Sequence, residues 1–290
     1  MLADFFKLNT PSQMFKSLAD LEQHFQTSST LENVLFEPPS VSGIPKRVFN
    51  NKKFKNVSFS KTVFEKVTFT DCEFVDCLFI GSEFVHCQFH RCKFVNCNTY
   101  KMVLFQCYIN PLSFVFDKAY KSTHSNIGAD LFHELYLNSK NMHQPQFSAE
   151  AEILFRRWLR AQSLYEYKAG RLSRRKYFWG WIKDVIVDLV IGYGNRPSNF
   201  AISSIIIFFI LSSMVHYLWP VLGMRDNGIP IEQGSLLSSM YYTTVVTTTL
   251  GFGDILPGTT AGRAVAMVLS IFGLIWLSLL TAIVIKKVVK

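Results

Sequence analysis

Phenylalanine stands at every fifth position from Phe49 to Phe94, ten times in succession, and the register continues through Thr99, Leu104, Ile109 and Phe114. Two positions before the centres stand Val57, Thr62, Val67, Cys72, Cys77, Ser82, Cys87, Cys92, Cys97, Met102 and Cys107, so all six cysteines share one slot. Helical side chains share a face every 3.6 residues and strand side chains every 2. A period of five fits neither. Fixed self-similarity instead calls for stacked units that bury an apolar face only against each other.

This pattern resembles the pentapeptide-repeat family. The resemblance implies a right-handed quadrilateral β-helix over residues 45–118, with one pentapeptide per side and four repeats per coil. Phe54, Phe59, Phe64, Phe69, Phe74, Phe79, Phe84, Phe89 and Phe94 would fill its interior. The cysteines invite a metal or redox reading, but sharing a slot with Val, Thr and Ser favours their use as small hydrophobes. Some members of that family mimic nucleic acid. Here residues 45–118 hold eleven Lys/Arg and six Asp/Glu, an excess of five positive charges and the wrong sign for imitating phosphates. No nucleic-acid partner is expected.

The other constraint is hydrophobic. Residues 197–224 contain no Asp, Glu, Lys or Arg, and Ala264–Ile285 is an uncharged run of 22 residues. About 20 apolar residues cross a bilayer as a helix, which predicts spans at about 198–219 and 264–286. The net charge of +9 concentrates at their flanks: Arg156, Arg157, Arg160, Lys168, Arg171, Arg174, Arg175, Lys176 and Lys183 precede the first span, and Lys286, Lys287 and Lys290 follow the second. Basic flanks mark the cytoplasmic side. The expectation is a multi-pass protein of the plasma or inner membrane with both termini cytoplasmic, near anionic lipid at that face. No stretch near the N-terminus reads as a secretory leader.

Between the spans, residues 235–249 are uncharged but rich in hydroxyls, and Ser235 offers an N-cap for a short helix over 235–247. TLGFGD follows at once. Irregular backbone at membrane depth is tolerated only where it is buried in protein or lines a water-filled path. A helix that enters, turns back through a glycine-containing strand and leaves on the same side meets that condition.

Residues 247–263, TTTLGFGDILPGTTAGR, resemble the signature of potassium-channel pore domains in its Gly-Phe-Gly variant. The resemblance covers about residues 198–287 as outer helix, pore helix, filter and inner helix, within a pore domain at 197–290. It implies a homotetramer that conducts K⁺ passively through a filter at Thr249, Leu250, Gly251, Phe252 and Gly253. In such filters carbonyls replace the ion's water shell. Gly251 and Gly253 suit the unusual backbone this needs, Thr249 adds a hydroxyl ring, and Leu250 and Phe252 pack behind the strand. Thr248 and Asp254 are expected supports, with Asp254 braced by Tyr242. Gly273 of the inner helix is a candidate gating hinge or a packing glycine. No voltage-sensing helix of the arginine-rich type is present over residues 197–224, so any sensor is expected to be N-terminal.

The remaining segments read as follows. Residues 1–44 form a helical cap in which Met14, Leu18, Leu21 and Phe25 take helical spacing. Residues 119–196 combine an irregular linker over 119–147, an amphipathic helix over 148–169 and an interfacial helix over 176–194, either a transmitter or a passive anchor. The fold class is therefore mixed, a β-helix joined to an α-helical membrane module. No catalytic constellation, cofactor or metal other than permeant K⁺ is expected. The competing reading is a membrane-anchored repeat scaffold with a non-conducting pore.

Overall fold

The computed structural model describes residues 13–36, 47–192 and 197–288. Lys290, the first twelve residues of the expected cap and the side chains of Lys286 and Lys287 lie outside that description. The chain divides into two compact units, Met1–Ile182 and Lys183–Lys290.

The first unit is built on a parallel step of twenty residues. Phe54 pairs with Phe74, Phe74 with Phe94 and Phe94 with Phe114. The same step joins Phe49, Phe69 and Phe89, then Phe64, Phe84 and Leu104, with a fourth set bridged through Ser58, Leu78 and Asn98. Four successive pentapeptides thus contribute to four parallel stacks. Parallel strands lie about 4.8 Å apart, and the rings inherit that spacing. Phe54–Phe74, Phe74–Phe94 and Phe94–Phe114 stack at 4.7, 4.8 and 4.5 Å, with interplanar angles of 5°, 7° and 12°. Between stacks the rings meet edge to face, as in Phe54–Phe59 and Phe69–Phe74 at 5.6 and 5.5 Å. Both arrangements suit the ring quadrupole. Every one of these phenylalanines is buried.

The corners explain how so short a strand can turn. Every fifth residue from Asn51 to Gln106 has positive φ, and only Gly81 among them is a glycine. A left-handed L-residue costs about 1–2 kcal/mol. The offset is visible in the amides: Lys61 donates to the Ile80 carbonyl at 2.8 Å, Asp71 to His90 and Asp76 to Val95 at 2.9 Å. Each strained corner therefore aims its N–H at the neighbouring coil.

The cysteines sit inside. Their thiols donate to carbonyls 23 residues back, Cys72 to Phe49 at 3.3 Å and Cys107 to Phe84 at 3.2 Å, where Ser82 makes the same bond to Phe59 at 2.8 Å. All are free thiols, and burial pushes the Cys97 thiol well above its ordinary range. Among the described residues no group of three His, Cys, Asp or Glu could hold a metal ion. The packing role has a geometric basis in this ladder.

At the N-terminal end, helix α1 (Leu18–Thr27) starts on a capping box between Ser17 and Asp20, and strand Thr30–Phe36 pairs with Lys53–Ser58 to begin the stack. Leu21 is buried and Phe25 packs edge-on against Phe54 at 5.5 Å, but Met14 lies in a strand and is exposed. At the other end the expected linker is helical. α2 (Lys118–Thr123), α3 (Ser125–Asn141) and α4 (Pro145–Lys168) follow the last coil. The physical reason is the open end of the stack, whose unpaired backbone and Phe114 need cover. Glu134 accepts from the Leu104 amide at 3.0 Å, and Asn138 accepts from the Cys107 amide at 2.9 Å while donating to its carbonyl at 2.8 Å. Ile127, Leu131, Phe132 and Leu135 are buried beneath α3, and a Cβ at Gly128 would fall on the Trp158 ring of α4.

The helix expected at 176–194 is α5 (Arg174–Ile186), continued by a π turn over Val187–Ile191 that Gly192 ends at φ 55°. None of α5's residues is buried, and Trp179 is 64% exposed. In the second unit, α6 (Pro197–Leu222), α7 (Leu236–Thr247) and α8 (Thr260–Val288) hold the two helices long and apolar enough to cross a membrane, over Ser198–Leu222 and Thr260–Ile285.

Replacing Asn138 by Ala strands the Cys107 amide and carbonyl and should cost about 1–3 kcal/mol. Asn126→Ala on the exposed face of α3 should stay within about 0.5 kcal/mol. The denaturant midpoint of the detergent-solubilised protein distinguishes them, and equal midpoints would contradict the capping role.

Candidate ion-conduction site

Two long apolar helices and the short helix between them place the site. α6 ends at Gly223 with φ 58°, and Met224–Asp226 pairs antiparallel with Ile255–Pro257, bringing the segments before and after the glycine strand together. Trp219 of α6 donates to the Ile231 carbonyl at 3.2 Å, fixing the descent into α7. α7 opens on Ser235, whose hydroxyl accepts from the Ser238 amide at 3.1 Å. The threonines then satisfy themselves. Thr243, Thr244, Thr247 and Thr248 each donate to the carbonyl four residues back, at 2.8, 2.8, 2.7 and 2.6 Å. Hydroxyls bonded in this way cost little at membrane depth.

The end of α7 anchors the strand. Amides of Leu250 and Gly251 donate to the Val245 carbonyl at 3.1 and 3.4 Å. From there φ alternates in sign: Thr249 at 61°, Gly251 at 59° and Gly253 at 81° are positive, whereas Leu250 and Phe252 are not. Such alternation turns successive peptide units the same way, gathering amides on one side and carbonyls on the other. Glycine reaches positive φ freely. For Thr249, a β-branched residue, it is an outlier, and the residue types alone gave no sign of it. In the single chain Leu250 and Phe252 are 60% and 65% exposed.

Asp254 closes the strand, and its partner is Tyr241. The Tyr241 hydroxyl donates to Asp254 Oδ2 at 2.6 Å. Expectation named Tyr242, and the helix phase explains the correction: adjacent residues on a helix point about 100° apart. Tyr242 instead turns into a cluster with Val215, Trp219, Leu222, Met224 and Leu269, where its hydroxyl has no hydrogen-bond partner. The Tyr241 hydroxyl holds the Asp254 carboxyl below its ordinary value. The Asp254 carbonyl in turn accepts from the Asn227 amide at 2.9 Å.

α8 packs closely behind. A Cβ at Gly273 would fall on the Thr247 carbonyl at the end of α7. This contact gives the packing alternative for Gly273 a physical basis, and the residue lies within one continuous helix. One turn on, Trp276 donates its indole N–H to Ser204 of α6 at 2.9 Å and stacks on Phe200 at 4.8 Å. Ser204, Leu211, Thr247, Gly273 and Trp276 border a cavity of about 190 Å³ between the three helices. At the start of α6, Ser203 donates to the Val190 carbonyl at 3.2 Å and ties the π turn to the span.

Residues 204–290 match the ion channel family. The matched stretch contains α7, the glycine-containing segment and α8 whole. No curated protein matches the chain. The ion-channel match contains TTTLGFGD, and together with the two apolar helices it supports a membrane location. Nothing in the family implies enzymatic chemistry. Of the expected site residues, Thr248, Thr249, Leu250, Gly251, Phe252, Gly253 and Asp254 lie together on the short irregular segment that follows α7, and Gly273 lies against the end of that helix.

A depressed carboxyl pKa contributes stability above the ordinary value of 3.8 and loses it as pH falls through the lower folded value. Tyr241→Phe should therefore lower the melting temperature of the detergent-solubilised protein at neutral pH, with the deficit vanishing below the ordinary carboxylate range. Tyr242→Phe should leave it unchanged. A larger loss from Tyr242→Phe would overturn the assignment.

Proposed function

We propose that the protein is a potassium-selective channel, a homotetramer of C4 symmetry whose four TLGFG strands surround one axis. The observation that carries this reading is the alternation of φ over Thr249–Gly253 at the end of a re-entrant helix. It supplies a row of carbonyls without full charges, which suits a cation that must bind and leave. Leu250 and Phe252 then fill the space behind the strand, against neighbouring copies. Four α7 helices direct their C-terminal dipole ends toward the axis and favour a cation there. Gly273 keeps α8 against α7 and, in a moving channel, remains a candidate bending point.

K⁺ moves down its electrochemical gradient, and the chain needs no cofactor. The first unit is read as a right-handed quadrilateral β-helix of pentapeptide repeats with a regulatory or assembly role. The basic run from Arg156 to Lys183 supports a cytoplasmic placement for it, with α5 lying along the anionic leaflet and its exposed aromatics in the headgroup layer.

The test is cation flux from proteoliposomes. The unaltered protein should pass K⁺ and retain Na⁺. Gly251→Ala places a Cβ at φ 59° and costs about 1–2 kcal/mol per strand, four times around the axis, so discrimination or conduction should be lost. Equal passage of Na⁺ and K⁺ by the unaltered protein would contradict selectivity. No flux at any voltage would favour a scaffold with a closed pore.

A further inference from the structure

The cavity of about 190 Å³ between α6, α7 and α8 owes its shape to one close contact and the rings beside it. At Gly273 the backbones of α8 and α7 approach so nearly that a Cβ would fall on the Thr247 carbonyl. Next to that contact Trp276 stacks on Phe272 at 5.5 Å and on Phe200 of α6 at 4.8 Å. Its indole N–H is fixed on Ser204 at 2.9 Å. Rings held on several sides do not swing into a neighbouring void, so the space persists. Its volume exceeds the roughly 150 Å³ of an apolar protein cavity that takes up benzene.

The chemistry of the wall is one-sided. Four hydroxyls border the cavity, and each has committed its proton within its own helix. Ser204 donates to the Phe200 carbonyl at 2.7 Å. Thr243, Thr247 and Thr248 donate to the carbonyls four residues back. A hydroxyl has one proton but two lone pairs, so these groups can still accept a hydrogen bond and have none to give. Among the described residues that border the cavity no side chain is charged. The wall therefore suits a molecule with an apolar body and a single donor. A lipid acyl chain has no donor to offer. A carbonyl compound would bring one more acceptor to a wall of acceptors, and leaving it buried and unpaired costs about 1–3 kcal/mol.

We propose that this cavity binds a small monohydroxy molecule of the phenol class, with its ring against Phe208, Leu211 and Phe272 and its hydroxyl donating to Thr247 Oγ1. Thr247 ends α7, and two residues earlier the Val245 carbonyl holds the Leu250 and Gly251 amides. An occupant therefore braces the end of α7 against α6 and α8, just before the glycine-containing segment. The site lies within the second unit and does not depend on which ion the chain passes.

The experiment titrates the full chain in nonionic detergent with para-fluorophenol. It follows the ligand's fluorine resonance together with the melting temperature, which a ligand of the folded state raises. Saturable binding is expected. Leu211→Phe fills the cavity and should abolish it, whereas Val221→Phe, which adds a ring at an exposed position of α6, should not. Thr247→Val keeps the shape and removes the acceptor, and should weaken binding about two- to tenfold, the net worth of one hydrogen bond. The same ring without the donor, para-fluorotoluene, should bind more weakly and respond to Leu211→Phe but not to Thr247→Val. Each variant's melting temperature without ligand reports whether it folds, and Thr247→Val decides the matter should Leu211→Phe not fold. The proposal is overturned if binding does not saturate, or if Val221→Phe removes it as fully as Leu211→Phe. It is also overturned if both ligands bind equally and ignore Thr247→Val, since any apolar molecule, lipid tails included, would then fill the void.

Discussion

Backbone at membrane depth must be satisfied, and this constraint organises the second unit. α6 and α8 satisfy their own amides and carbonyls as helices, and α7 does so with its threonine hydroxyls turned back on the helix. Thr249 to Gly253 cannot do this alone. Positive φ recurs at Thr249, Gly251 and Gly253, and the segment belongs to no helix or sheet. A lipid surround would charge several kcal/mol for each unsatisfied backbone group. On the proposed reading the carbonyls of this segment face a dehydrated cation and the same segment from other copies.

The first unit solves a different problem with related backbone chemistry. Most of its strands are three residues long, too short for ordinary sheet turns, and the chain turns at a positive-φ residue every fifth position. Over Thr249–Gly253 positive φ recurs at alternate residues. In the stacked coils it aims amides at the next coil. The aromatic ladders then follow from the sheet spacing, since rings locked to strands about 4.8 Å apart must stack. Cysteine serves in the adjoining slot because a thiol is small, apolar enough to bury and able to donate weakly to the carbonyl beneath it.

Much of this was legible in the sequence, for a physical reason. Period five in Phe and the two uncharged runs are global signals that no local effect disguises. The helix over 125–141 was not legible, because its apolar residues Ile127, Leu131, Phe132 and Leu135 are spaced among Asn, Asp, Glu, Lys and Ser, and what they cover is the end of a stack. Asn138 and Glu134 look like solvated polar residues until the edge they bond to is known. Tyr241 and Tyr242 show the limit at the site. Both can donate to a carboxylate, and only the helix phase, a matter of 100°, decides which one reaches Asp254. The positive φ of Thr249 could not be read from its residue type, since threonine disfavours that region.

A strand that needs partners at membrane depth makes a claim about number as well as chemistry. The most direct measurement is the native mass of the detergent-solubilised full chain. The account predicts an assembly of four chains that survives dilution and whose residues 249–253 are shielded from labelling at cysteines introduced there. A monodisperse single chain, folded and with those positions openly reactive, would contradict it.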